Sequence, residues 1–168
     1  PMLGKVPGKA YGLGGAFMGL EVGNDGMSIV EYRAHFSMRA LLAAPLIAGN
    51  DLRTMPDAIR TILANAEVIA LDQDPLGRQA RRVRRDGDID VWVKPLADGS
   101  QAVALLNRGA GAVDAALRWA DLGLPPDAAR ELRDLWRHAN LGRHRGAGRA
   151  RVESHAALVL RVSAHRAH

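Results

Sequence analysis

No cysteine occurs in the 168 residues. That excludes disulfides, thiolate nucleophiles and zinc sites built on sulfur. It leaves the compartment open, secreted or cytoplasmic, because many secreted bacterial enzymes also lack disulfides. No membrane span is legible either: the run Ala40 to Ala48 falls far short of the roughly 20 apolar residues a bilayer needs, and Pro45 interrupts it. Lysine is scarce, so the net charge of +5 is almost wholly arginine. With so much alanine, this is the composition of a high-GC genome and carries no functional message. Nor is a signal peptide visible. Lys5 and Lys9 precede Ala10 to Leu20, but four of those eleven residues are glycine, a poor apolar core. The chain starts at Pro1, and residues are expected to precede it.

What is present is enough apolar residue, 48%, for a packed core. Residues 1–19 read as glycine-rich loop. From Leu20 to Asp74 the pattern is strand, loop, helix, strand, loop, helix, the rhythm of a parallel sheet with crossover helices. Leu20 to Val22 is a short buried strand, ended by Gly23-Asn24-Asp25-Gly26. Ser28 and Glu31 form a capping box. Behind it Ile29, Tyr32, Phe36, Ala40 and Ala43 recur at helical spacing until Pro45 stops the helix. Leu46 to Ala48 is a second strand. Pro56 opens the next helix, with a weaker cap from Thr54 and Asp57 and an end at Asn65, and Glu67 to Gln73 adds a short turn or helix.

Asp74-Pro75-Leu76-Gly77 breaks this pattern, and a domain boundary is expected there. Beyond it the period falls to two: Ile89, Val91 and Val93 alternate with polar neighbours. Asp98-Gly99 signals a hairpin leading into Gln101 to Leu106. Val113, Ala115, Leu117 and Trp119 alternate again, and Leu158, Leu160 and Val162 make a last strand. Leu132, Leu135 and Trp136 suit a helix or a strand. Many short strands with frequent turns predict an antiparallel β-sandwich over 77–168.

Several segments, in order, resemble the C-terminal part of alpha-galactosidases of glycoside hydrolase family 27. They are LEVGNDGMS, EYRAHFSMRALLAAPLIAGNDLR with the helix after it, and EVIALDQDPLGRQ. In the second half VWVKPLADGSQAVALLNRG and LRDLW look like the same family, of bacterial type. The resemblance implies α/β plus all-β architecture: a partial (β/α)8 barrel, its last two βα units over 20–76, followed by the sandwich. It implies retaining hydrolysis of terminal alpha-galactosides by two aspartates, a nucleophile and an acid/base. Both lie upstream of the segment matching Leu20, so no residue here is expected to be catalytic. Two further departures stand out. Gly14 to Gly19 replaces the Trp-Asn-Asp-Pro-Asp-Met of relatives, so that residues 1–19 look foreign, and Arg39 stands where relatives carry tryptophan.

Other candidates are weaker. Asp51 and Arg53 follow the second expected strand at the end where barrel active sites lie. They are candidate barrel-end support, or simply a pair holding the loop. Asp72 and Asp74 read as anchors of the linker. Arg78, Arg81, Arg82, Arg84 and Arg85 could suggest nucleic acid, but no aromatic residue is interleaved and Asp86, Asp88 and Asp90 follow. A self-neutralised sandwich edge is the plainer reading, with no nucleic-acid or membrane partner. His138, His144, His155, His165 and His168 match no ligand spacing, so neither metal nor cofactor is expected. Trp92, Trp119 and Trp136 suit a core or interface better than a sugar platform. Ser28 and Ser154 lack the context of a serine nucleophile. Two barrel units alone would leave an open edge, so association through it is expected, with 1–74 poorly anchored. The second reading is a non-catalytic sandwich module that binds carbohydrate or a partner domain.

Overall fold

The computed structural model describes residues 20–24 and 26–164. The expected leader 1–19, Asp25, His165 and His168 lie outside the described residues.

Helix α1 (Ile29–Leu41) starts as its sequence dictates. Ser28 Oγ accepts from the Glu31 N–H at 3.3 Å, and Glu31 Oε2 accepts from the Ser28 N–H at 2.8 Å. The helix is shorter than the apolar period suggested. It closes at Leu41, and Ala43 turns into the left-handed region at φ 49°. The expected strands on either side reduce to one parallel bridge, Leu20 with Ala48, with the Leu20 N–H on the Ile47 carbonyl at 2.8 Å. The chain turns away directly at Val22–Gly23, so no ladder extends. Gly23 needs its missing side chain. At φ 87° an added Cβ would come within 2.8 Å of Asn50 Nδ2 and Ile59 Cγ2.

A 3₁₀ turn (Leu52–Thr54) precedes α2 (Asp57–Leu63) and α3 (Ala66–Asp72). The expected cap of α2 by Thr54 and Asp57 is not made: Pro56 is the N-cap and gives no side-chain bond, because Thr54 is held in the preceding turn. Asn65 does not end a helix but begins one. Its Oδ1 accepts from the Glu67 and Val68 N–H groups, both at 3.1 Å.

Eight strands follow: β1 (Arg81–Asp86), β2 (Ile89–Pro95), β3 (Gln101–Asn107), β4 (Val113–Arg118), β5 (Ala129–Asp134), β6 (Ala139–Arg145), β7 (Ala147–Val152) and β8 (Ala157–Ala164). All pairs are antiparallel. Six form one sheet in the order β1-β2-β3-β8-β5-β6, and β4 pairs with β7 in a second. The Leu132 segment, left open by its spacing, is strand β5 up to Asp134, and Leu135 and Trp136 lie in the turn after it. Asp98-Gly99 makes the expected β2–β3 turn, with Gly99 at φ 80°.

The six-stranded sheet is covered on both faces. One face carries Val91, Val93, Val103, Leu105, Leu160 and Val162, which pack with Ala115, Leu117 and Trp119 from the β4–β7 side. The other carries Ala102, Ala104 and Val159, which pack with Phe36, Ala40, Leu41, Ile62 and Leu71 of the helices. Small alanines at the centre of β3 let α1 come close. Each large side chain buried there contributes about 1.5–3 kcal/mol. Main-chain and side-chain hydrogen bonds cross the same junction: Ala80 N–H to Leu41 O at 2.8 Å, Asn65 Nδ2 to Leu135 O at 3.1 Å, Trp136 Nε1 to Ser37 Oγ at 2.9 Å. The expectation that the helical segment is poorly anchored is therefore corrected. Asp74 to Gly77 ends a pattern in the sequence, while the hydrophobic core runs straight across it.

Candidate functional site

Asp51 sits three residues after bridged Ala48 and caps the 3₁₀ turn. Its carboxylate takes the Arg53 backbone N–H at 3.0 Å and the guanidinium at 3.0 and 2.6 Å. That guanidinium holds the Asp51 carboxyl below the ordinary carboxylate range. Both side chains are open to solvent, 48% and 87% exposed, so the pair fixes its own loop and buries no charge. Glu21, after the other bridged residue, accepts from Asn24 Nδ2 at 3.0 Å, and its N–H meets His35 Nε2 at 3.4 Å. Burial, with Arg39 next, keeps the His35 imidazole below its usual value, so it serves the Glu21 N–H as a neutral acceptor. Among the described residues, Glu21 and Asp51 are thus each committed to a local partner, in no shared constellation.

Asp74 anchors the linker: it accepts from the Leu76 N–H and the Ala97 N–H, both at 3.1 Å. Asp72 binds only its neighbour Gln73, at 2.7 Å. Between linker and sheet lies Lys94, fully buried, whose ammonium donates to the Arg78 carbonyl. Burial pushes its pKa down, against the pull of Asp74 and Asp72.

Three arginines of the run, Arg82, Arg84 and Arg85, meet carboxylates. Arg85 reaches buried Asp90 at 2.8 Å, and Arg82 and Arg108 join from 3.5 and 3.1 Å. Arg84 bridges Asp86 at 2.8 Å and Asp121 at 3.1 Å. Three guanidiniums more than offset desolvation of Asp90 and leave its carboxyl below the ordinary range. The β1 edge is thus partly self-neutralised, through Arg82, Arg84 and Arg85.

Among the described residues no group of three or more His, Asp or Glu could hold a metal. His138 stands 2.6 Å from Glu67, whose other contacts are Arg133 Nε and Nη2 at 2.6 and 2.7 Å. This cluster ties α3 to the β5–β6 turn, and Arg133 holds the Glu67 carboxyl low. Trp119 is core, with Nε1 on the Ala128 carbonyl at 2.6 Å. Trp92 packs against the helix-facing core. Trp136 lines a cleft of about 240 Å³ between the start of α1, the turn after β5 and the β7–β8 loop. Sequence reasoning missed this cleft, Lys94 and the Glu67 cluster. Their members lie far apart in the chain, and only the unusual lone lysine inside a strand offered a signal.

A helical segment with a parallel bridge, seated on an antiparallel sandwich, is the architecture of the C-terminal part of a glycoside hydrolase. Comparison with known proteins makes this specific. A family model for alpha galactosidase A matches residues 15–74, and one for the alpha galactosidase C-terminal beta sandwich domain matches 86–162. An alpha-galactosidase of Coffea arabica is 47% identical over 136 residues, 81% of this chain and 36% of that one. Alpha-galactosidase A of Cellvibrio japonicus is 40% identical over 154 residues, 86% and 38%. The crystal structure of alpha-galactosidase I from Mortierella vinacea superposes with a TM-score of 0.84 at 36% identity, covering 87% of this chain and 38% of that one. The chain belongs to the alpha-galactosidases of glycoside hydrolase family 27, of which it carries the C-terminal portion. It spans a little over a third of the length of these relatives, which are plant, bacterial and fungal.

Proposed function

We propose that this chain supplies the last two βα units of a (β/α)8 barrel, over 20–76, and the whole sandwich, over 77–168, of a retaining alpha-galactosidase. The observation that carries this is the Leu20–Ala48 parallel bridge, joined through α1 within a segment that matches the alpha-galactosidase family. A strand, a crossover helix and a parallel neighbour are the repeating unit of such a barrel. Asp51 and Arg53 then brace the loop at the catalytic end of the last strand. The substrate of the complete enzyme is a terminal alpha-galactoside. The spelling of VWVKPLADGSQAVALLNRG favours a member of bacterial type.

Chemistry needs more than this chain holds. Retaining hydrolysis uses two carboxyl groups about 5–5.5 Å apart across the scissile bond. Glu21 and Asp51 are each tied to neighbours instead. Exposed Ile29 and Ile47, at 39% and 54%, mark the side on which further barrel units would pack.

Purified chain is expected to give no turnover on an aryl alpha-galactoside. Co-expression with a polypeptide carrying the first six barrel units of a relative should restore it. Robust turnover by the chain alone, lost on Asp51→Asn, would overturn this reading. The module reading, binding carbohydrate without catalysis, is favoured by one feature, the cleft at Trp136.

A further inference from the structure

The cleft at Trp136 has the anatomy of a small ligand site. Its lining joins apolar Val152, Leu158 and the indole with charged Arg33 and Glu153, while Asp134, also in the lining, is buried and accepts from the Trp136 and Arg137 N–H groups. At about 240 Å³ it is smaller than pockets that bury drug-sized molecules, roughly 300–1,000 Å³, and suits a single ring. The indole is held in place beforehand. Its Nε1 donates to Ser37 Oγ at 2.9 Å, Phe36 meets it edge-on at 6.4 Å, and the Trp136 N–H donates to Asp134 at 2.9 Å. A platform already fixed loses little freedom when something stacks on it.

The charges do not balance. Arg151 faces Glu153 at 3.5 Å, and Arg137 faces Asp134 at 3.7 Å. Arg33 makes no ion pair among the described residues and lies over the indole at 5.4 Å. One guanidinium is left over, exposed, on a flexible stem beside an aromatic face. We propose that this cleft binds a uronic acid unit of a glycan. The C–H face of the ring takes the indole in place of Arg33. Arg33 swings to the rim and pairs with the ring carboxylate, while exposed Glu153 accepts from a ring hydroxyl. A neutral sugar would leave Arg33 unpaired, and a bare carboxylate would leave the apolar floor unused. The site is built entirely by this chain, so it stands or falls apart from hydrolysis.

Calorimetry and saturation-transfer NMR on the whole chain test it, with methyl galacturonide, methyl galactoside and acetate as probes. The galacturonide should bind; the galactoside should bind more weakly by about tenfold, the effect of losing one charge-assisted contact, and acetate should bind more weakly by about tenfold because it lacks the ring that stacks on the indole. Arg33→Ala should weaken galacturonide binding by a similar factor, and Arg33→Lys should recover part of it. Trp136→Phe should weaken all stacking. Should that variant unfold, Val30→Trp fills the cleft from the exposed side of α1 and must abolish binding. Equal binding of all three probes, no binding of the galacturonide, or indifference to both Arg33→Ala and Val30→Trp would overturn the proposal.

Discussion

The two faces of the six-stranded sheet are covered by different kinds of partner. Toward β4 and β7 the contact is sheet on sheet, with large interlocking side chains centred on Trp119. Toward the helices the sheet offers Ala102, Ala104 and Val159, and the large groups come from the other side: Phe36, Leu41, Ile62. Polar ties also differ. On the sandwich side one fully buried amide, Asn107, donates to the Gly111, Val152 and Glu153 carbonyls at 2.7–3.1 Å and accepts from Gly109. On the helical side the ties are spread over Asn65, Ser37 and Glu67. In this chain the helical segment and the sandwich are thus joined by a continuous core.

The sharpest test strikes each face in turn. Trp119→Ala empties the centre of the sandwich and strands the Ala128 carbonyl, which should cost about 4–5 kcal/mol in denaturant unfolding. Phe36→Ala removes the helical counterpart and should cost about 3 kcal/mol. If both faces belong to one cooperative unit, each variant still unfolds in a single transition seen alike by far-ultraviolet dichroism and tryptophan fluorescence. A second transition confined to the helical signal in Phe36→Ala would split the molecule at Gly77 after all.

Weaker, and specific to the joint, is the Glu67 cluster. Glu67→Gln should cost about 1 kcal/mol at neutral pH, given partial exposure and a bidentate partner. Its carboxyl sits below the ordinary range when folded. The stabilisation is therefore full above the unfolded value, about 4.3, and fades as pH falls through the lower folded value. The gap between parent and variant should close between pH 5 and the acid limit of folding. A gap unchanged by acid would mean that packing, and not charge, holds α3 to the β5–β6 turn.

What the sequence disclosed was local. Ser28 with Glu31 and Asp98 with Gly99 are legible because both partners lie within one turn of chain. The alternation of Ile89, Val91 and Val93 is legible because it marks one buried face. The second buried face was not, since Ala102 and Ala104 between Val103 and Leu105 look like indifferent filler until a helix is known to lie on them. Asn65 misled for a related reason: an asparagine suits either end of a helix, and its tie to the Leu135 carbonyl decides which. Glu67 lies 66 residues from Arg133 and 71 from His138, beyond any periodicity. Alternation and turn spacing predicted the sandwich and the likeness to family relatives agreed, but neither could give the cleft, whose walls come from three separate segments.

The smallest expected effect is at Lys94, and its sign is the informative part. The side chain lies on the helix-facing side of β2, fully buried, with one carbonyl partner and two carboxylates too far for contact. Desolvation of the ammonium opposes what Asp74 and Asp72 return, and the folded pKa falls below the ordinary lysine value, about 10.4. Between those two values the unfolded chain binds more protons than the folded one. Stability contributed by this residue should therefore rise as pH climbs through that window. Lys94→Met keeps the volume, removes the buried charge and gives up one hydrogen bond, so at pH 7 the net change should stay within about 1 kcal/mol of zero. Relative to this variant, the parent should gain stability as pH climbs toward the ordinary lysine value, read by urea unfolding at fixed temperature. If instead Lys94→Met costs several kcal/mol at pH 7 and the parent loses ground with rising pH, the ammonium is an essential tie to the linker. The helical face would then depend on one charge where the sandwich face depends on packing.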